Sequence, residues 1–335
     1  MELEKKNLIV KQYDNIVTSY WFWADQFLMA NQVDNGILWM VNNFINIKYN
    51  PDWFPQGVYF SNNEYRNKMV EFYDCPFLRT QKILYNDKKM IFGKNVVDFS
   101  LQCIEQNRFV LLLVDRHYLA RGKKGNIHQI LLHGYDKINK KFYYADNGDN
   151  GKYVTDLTCS FDELQAGLLN VEYCLVEPDV SESIFTFDVV QNETYNINIE
   201  KILFQLNQYL YEERISFDGL CYNGIGVYDA LLQYFENELN FEANFSDLCV
   251  IREHKSLMVE RIKYLENFCK KKFQTLYMYE SLEQQCQVLL MKCIKYYYKR
   301  DQKGKNDVVS MIKNICEEEK KVLSKLIFEM RSNFC

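Results

Sequence analysis

The sequence predicts an α+β fold, with one helix buried against an antiparallel sheet, followed by a separate helical domain. Residues 17–30, VTSYWFWADQFLMA, are apolar almost all round, which suits a helix buried inside a domain. Short apolar, β-branched and aromatic runs come later: FVLLLV at 109–114, IHQILLHGY at 127–135, KFYYAD at 141–146 and YCLVE at 173–177. The turn-like segments DKINKK and NGDNGK separate them, so they read as strands of one antiparallel sheet. A change in punctuation marks the second half: all four prolines and nine of the thirteen glycines lie at or before residue 178.

A length of 335 residues suits two units, each large enough to bury a core. The boundary falls between about 180 and 197, giving an α+β domain over 1–180 and a helical bundle over 198–335. In the bundle, Ile199, Ile202, Leu203, Leu206 and Leu210 follow helical spacing behind an Asn198 cap. Further helices are expected at Val227–Leu239, about Ser256–Tyr277, Leu282–Tyr298 and Val308–Met330, with KRDQKGK at 299–305 as a solvated loop. In the first domain VVDFSLQCIEQ reads as a helix with Cys103 on its apolar side.

Composition narrows the function. Hydrophobic residues make up 48% and aromatics 16%, too much for a disordered polymer. A net charge of −5, with the 40 Lys and Arg interspersed among acidic residues, argues against a nucleic-acid partner. No stretch reaches the roughly 18 apolar residues of a membrane span, and the first fifteen residues have no signal-peptide core, so a cytoplasmic protein is expected. The eleven cysteines are odd in number, scattered singly and never spaced CxxC, which suits buried reduced thiols better than disulfides or zinc. His117 and His254 lack metal-ligand spacing and no glycine-rich phosphate loop occurs, so no metal or cofactor is expected.

The informative stretch is HQILLHGYDKINKKFYYADN, residues 128–147. In a regular hairpin turning near residue 138, Asp146 lies opposite about residue 130, a diagonal neighbour of His128 on the same face. A carboxylate there orients an imidazole and stabilises its charged form, the base half of a nucleophilic site. His133 is the rival, and its opposite strand parity means only one of the two histidines shares a face with Asp146. Equally, His128 and Asp146 can be read as an ordinary strand histidine and an ordinary turn residue.

The run IHQILLHGYDKINKKFYYADNGDNGKY, followed by TCSFDELQAGL, resembles the histidine hairpin of papain-like proteins, above all the butirosin biosynthesis protein H family of bacterial peptide and natural-product clusters. FVLLLVDRHYL resembles the strand that precedes that hairpin, and the likeness covers roughly residues 8–178, with a weaker match at GIGVYDALLQYFENEL. The resemblance implies a papain-like fold in which His128 and Asp146 occupy the catalytic histidine and acid positions. It also implies an acyltransferase that moves an acyl group from a carrier-protein thioester to an amine. The partners so implied are an acyl or peptidyl carrier protein and an amine acceptor; in a non-catalytic cleft the helical domain would form one wall or a homodimer interface.

Papain-like proteins carry their cysteine nucleophile at the start of the buried first helix, where free NH groups and the helix dipole stabilise a thiolate. Here that region, KQYDNIVTSYWFWAD, has no cysteine, and the first in the chain is Cys75. Ser19, followed by an aromatic-rich helix, is one candidate; Thr18 is another, six residues after Gln12, which stands where the family's oxyanion glutamine precedes its nucleophile. Aligned instead on an Asn-Cys pair, the position is Ile16 and the cleft is a catalytically inactive binding or scaffold site. Thr18 and Ser19 also suit simple helix capping. Peptide or thioester hydrolysis is the same chemistry with water as acceptor.

Overall fold

In the computed structural model the described residues are 3–10, 36–50, 57–62, 68–69, 75–83, 95–147, 153–169, 184–190, 195–211, 222–236 and 244–334. The chain opens with β1 (Lys5–Asn7), α1 (Gly36–Asn43), β2 (Asn46–Asn50), β3 (Gly57–Asn62), β4 (Lys68–Met69) and β5 (Leu78–Ile83). Next come α2 (Val96–Glu105), β6 (Phe109–Asp115), a 3-10 turn (Arg116–Leu119), β7 (Ile127–Asp136), β8 (Lys141–Asn147), β9 (Tyr153–Ser160), α3 (Phe161–Leu169) and β10 (Ile184–Val189). The remainder is α4 (Ile199–Tyr211), β11 (Tyr222–Asn223), α5 (Val227–Glu236), α6 (Asn244–Cys269), α7 (Thr275–Lys299) and α8 (Gln302–Phe334). The architecture is mixed α+β, an antiparallel sheet together with C-terminal helices, and among the described residues no helix is long and apolar enough to cross a membrane.

Two compact units emerge: Met1–Gly36 with Phe72–Thr194, and Ile37–Glu71 with Tyr195–Cys335. The main division, at residues 194 and 195, lies in the polar stretch where composition changes. The segment 37–71 instead joins the helical unit, because β2 pairs with β11 and Val58 of β3 donates its NH to Asp247 of α6 at 2.7 Å.

In the first unit the strands run β5-β10-β6-β7-β8-β9, and β1 adds to the end of β7. The expected strands at 109–114, 127–135 and 141–146 are present as β6, β7 and β8. YCLVE lies outside the described residues, as does the apolar segment 17–30. β6 is buried along its whole length, and Val110, Leu112 and Val114 join Ile130, Leu132, Tyr135 and Phe142 in a core covered by Val96, Cys103 and Ile104 of α2 and Leu164 of α3. Helix α2 starts where the Asn95 side chain accepts the NH of Asp98, a side-chain N-cap. Gly167 lets α3 press on the 3-10 turn, since a Cβ there would stand 2.8 Å from Leu119 Cδ1 and 3.3 Å from the Asp115 carbonyl.

In the helical unit Asn198 caps α4 as expected, its Oδ1 accepting the Lys201 NH at 2.9 Å. Two expectations are corrected. A helix spanning 256–277 is broken, because Lys270 adopts a left-handed φ of 57° and Glu266 Oε1 accepts the Phe273 NH at 2.7 Å, after which α7 begins anew. The loop expected over 299–305 is shorter: Arg300 ends α7 at φ 52°, and Asp301 Oδ1 accepts the Gly304 NH at 2.5 Å and starts α8.

A fully buried polar cluster ties these helices together. Lys255 Nζ donates to Glu319 Oε1 at 2.5 Å, to His254 Nδ1 at 2.9 Å and to Tyr209 Oη at 3.2 Å. Tyr228 Oη donates to Glu319 Oε2 at 2.7 Å, and His254 Nε2 donates to the Ile45 carbonyl at 2.7 Å. The three ammonium hydrogens are therefore matched by three acceptors, which is what lets a lysine survive complete burial.

Candidate functional site

The site grows from the β7–β8 hairpin and the loop that enters β7. Asp136 closes the hairpin turn by accepting the backbone and side-chain NH groups of Asn139, each at 2.9 Å, and Lys140 completes it at φ 49°. Near this turn Gly134 stands opposite Tyr143; continued regularly, that register would set Asp146 opposite Leu131, on the face away from His128. The ladder shifts by one residue between Leu132 and Gly134, so that Leu131 faces Ala145 instead. Carried one residue further, Asp146 falls opposite Ile130 and shares the face of His128. The regular hairpin assumed from the sequence is thus replaced by a bulge at His133, and the bulge decides which histidine meets the carboxylate.

His133 takes a structural role. It is buried, with Nδ1 2.8 Å from Asn7 Oδ1 and Nε2 3.0 Å from the Thr155 carbonyl, tying β7 to both β1 and β9. Burial pulls its pKa below the ordinary histidine value.

His128 Nδ1 lies 3.0 Å from Asp146 Oδ1 and 2.8 Å from the Gln129 carbonyl. Both neighbours are acceptors, so Nδ1 carries the hydrogen and the lone pair of the neutral ring resides on Nε2. The His128 side chain retains 15% of its exposure, whereas Asp146 retains 1%. The tautomer is that of a general base held from behind by a carboxylate.

Two residues unforeseen in the sequence complete the site. Arg116 Nη2 bonds Asp146 Oδ1, and Arg121 Nη1 reaches Asp146 Oδ2 at 3.1 Å. Both belong to the β6–β7 loop, which Asp115 organises by accepting the NH groups of His117 at 3.1 Å and Gly125 at 2.9 Å. Arg121 also hydrogen-bonds the Tyr144 hydroxyl, although burial still leaves the Tyr144 pKa above its ordinary value. For Asp146, burial alone would raise the pKa, but the hydrogen bonds and charges of His128 and Arg116 outweigh it, and the carboxyl sits below the usual range. Asp146 is therefore an anion at neutral pH. The sequence offers only a general signal for the arginines: a buried carboxylate needs cationic partners, and RHYLAR stands five residues before the strand that carries His128.

Gln12, Thr18 and Ser19 lie outside the described residues, as does Ile16. Cys75 is buried beside β5 and Cys103 within α2, where burial pushes the thiol up to about 11, so neither resembles an activated thiolate. No protein-family model matches the chain, and a search of curated proteins finds no match.

Proposed function

We propose that the first unit is a papain-like acyl-transfer domain of bacterial natural-product biosynthesis, in which His128 is the general base and Asp146 its orienting acid. The observation that carries this is the 3.0 Å contact between His128 Nδ1 and a buried, ionised Asp146, which directs the basic lone pair to Nε2. In the proposed reaction Nε2 takes the proton of the Thr18 or Ser19 hydroxyl as its oxygen attacks a carrier-protein thioester. The carbon–sulfur bond breaks, His128 returns the proton to the departing thiolate, and the acyl group rests on the enzyme as an ester. An amine then attacks the ester, giving up its proton through His128 and restoring the hydroxyl; water in its place yields hydrolysis. Gln12 is the proposed oxyanion donor. A hydroxyl is a weaker starting nucleophile than a thiol, so this chemistry leans on the base more heavily.

A second reading is favoured by the missing cysteine. The segment where a papain-like nucleophile would stand, KQYDNIVTSYWFWAD, has no cysteine, which suits a non-catalytic cleft that binds an acylated carrier or peptide beside the Arg116–Asp146–Arg121 cluster. Intact mass spectrometry after incubation with acyl-carrier thioesters and amines separates the two. Catalysis predicts an acyl adduct or amide product that is lost in His128→Ala and in one of Thr18→Ala or Ser19→Ala. Carrier binding without adduct or product, unchanged in His128→Ala, would leave only the binding cleft.

A further inference from the structure

Helix α7 carries two seams. Its buried residues, Thr275, Tyr279, Leu282, Cys286, Leu289, Cys293 and Tyr296, recur at alternating spacings of four and three and pack into the helical unit. Offset by two positions, and so on the opposite side of the helix, the same alternation recurs in Tyr277, Ser281, Gln284, Val288, Met291, Lys295 and Tyr298. Along this outer seam Tyr277 is 76% exposed, Val288 47%, Met291 57% and Tyr298 79%. Apolar residues at the a and d positions of a heptad are the signature of a helix that packs against another helix. Four of the seven, Tyr277, Val288, Met291 and Tyr298, are apolar or aromatic and exposed, where a surface helix serving only its own core would carry polar residues throughout.

Charge selects the occupant. The N-terminal half of α7 bears Glu280 and Glu283, and the C-terminal half bears Lys292, Lys295 and Lys299. A second α7 laid antiparallel brings each acidic half onto a basic half, whereas a parallel pair stacks like on like. With the twofold axis between Gln287 and Val288, the antiparallel arrangement stacks Tyr277 on Tyr298 of the second copy and Gln284 on its Met291, with Val288 beside its own counterpart. Glu280 then lies beside Lys295 of the other chain. The seam covers 277–298, which at 1.5 Å per residue is about 32 Å of helix, long enough for a two-helix interface.

We infer that this chain forms a twofold homodimer through the outer face of α7, its two copies antiparallel and crossing between Gln287 and Val288. The interface is isologous, so the same seven positions serve both partners and association stops at two.

Sedimentation equilibrium of the full chain tests this. A dimer is expected at about 10 μM, with Met291→Glu weakening association at least about tenfold while the circular dichroism spectrum stays that of the native fold, since this side chain is 57% exposed in the single chain. Orientation is read from charge reversal: Glu280→Lys alone and Lys295→Glu alone each weaken the dimer, and the double variant restores it. A native chain that remains monomeric to about 100 μM would overturn the proposal. So would a dimer indifferent to Met291→Glu, or one in which the double reversal fails to recover what the single reversals lose.

Discussion

His128 Nδ1 stands 3.0 Å from Asp146 Oδ1, and the extra residue that β7 accommodates at His133 is what puts the two on one face. Beside that bulge β1 crosses so close that a Cβ on Gly134 would stand 2.9 Å from the Lys6 carbonyl and 2.6 Å from Asn7 Oδ1. Asn7 is the side chain that meets His133 Nδ1, and the Leu8 NH donates to the His133 carbonyl at 2.7 Å. Gly134→Ala is therefore expected to displace β1 and cost about 1–2 kcal/mol. In hydrogen exchange, the Leu8 amide should lose protection well before the amides of β6 do.

Asp146→Asn should cost about 3 kcal/mol at pH 7, because two guanidinium groups lose a buried counter-charge. Asp146 has a folded pKa below its unfolded one, so its contribution is fully present above the ordinary carboxylate pKa and fades as pH falls through the folded value. Urea unfolding should show wild type more stable than the variant at pH 7, the two converging below about pH 4.

For the buried histidines the sign is opposite. Burial depresses the pKa of His133 and of His254, where Lys255 adds to the effect, so the unfolded chain binds protons that the folded chain refuses. Stability should fall as pH drops through about 6.5, with a slope of up to about 1.4 kcal/mol per pH unit for each histidine. His133→Gln should reduce the number of protons taken up on unfolding below about pH 6.5, measured from the pH dependence of the unfolding free energy.

Lys255→Met strands Glu319 in the centre of the helical unit and should destabilise it by about 3–5 kcal/mol. Adding Glu319→Gln should recover more than half, since the neutral amide can still accept the Tyr228 hydroxyl that now bonds Oε2 at 2.7 Å. A double-mutant cycle by chemical denaturation measures the coupling, and additive losses would show that the ion pair is not what holds this core.

Much of the architecture follows from local pattern. Apolar runs of strand length became β6, β7 and β8, the Asn198 cap opens α4, and the periodic segments 282–298 and 308–330 lie inside α7 and α8. These features depend on residues within a few positions of one another, so chain order alone encodes them. Polar, alternating LRTQKI gave no such signal, yet it is β5, because strand β10 from a hundred residues downstream supplies its ladder. Pairing of 37–71 with the distant helical unit was invisible for the same reason. His128 and Asp146 were legible as a pair, but a regular hairpin with the observed turn would have separated them; the bulge at His133, held by Asn7 and Thr155, is a tertiary decision. Arg116 and Arg121, and likewise Lys255 and Glu319, acquire meaning only when folding removes a carboxylate from water and the cost of an unpaired buried charge forces distant cations onto it.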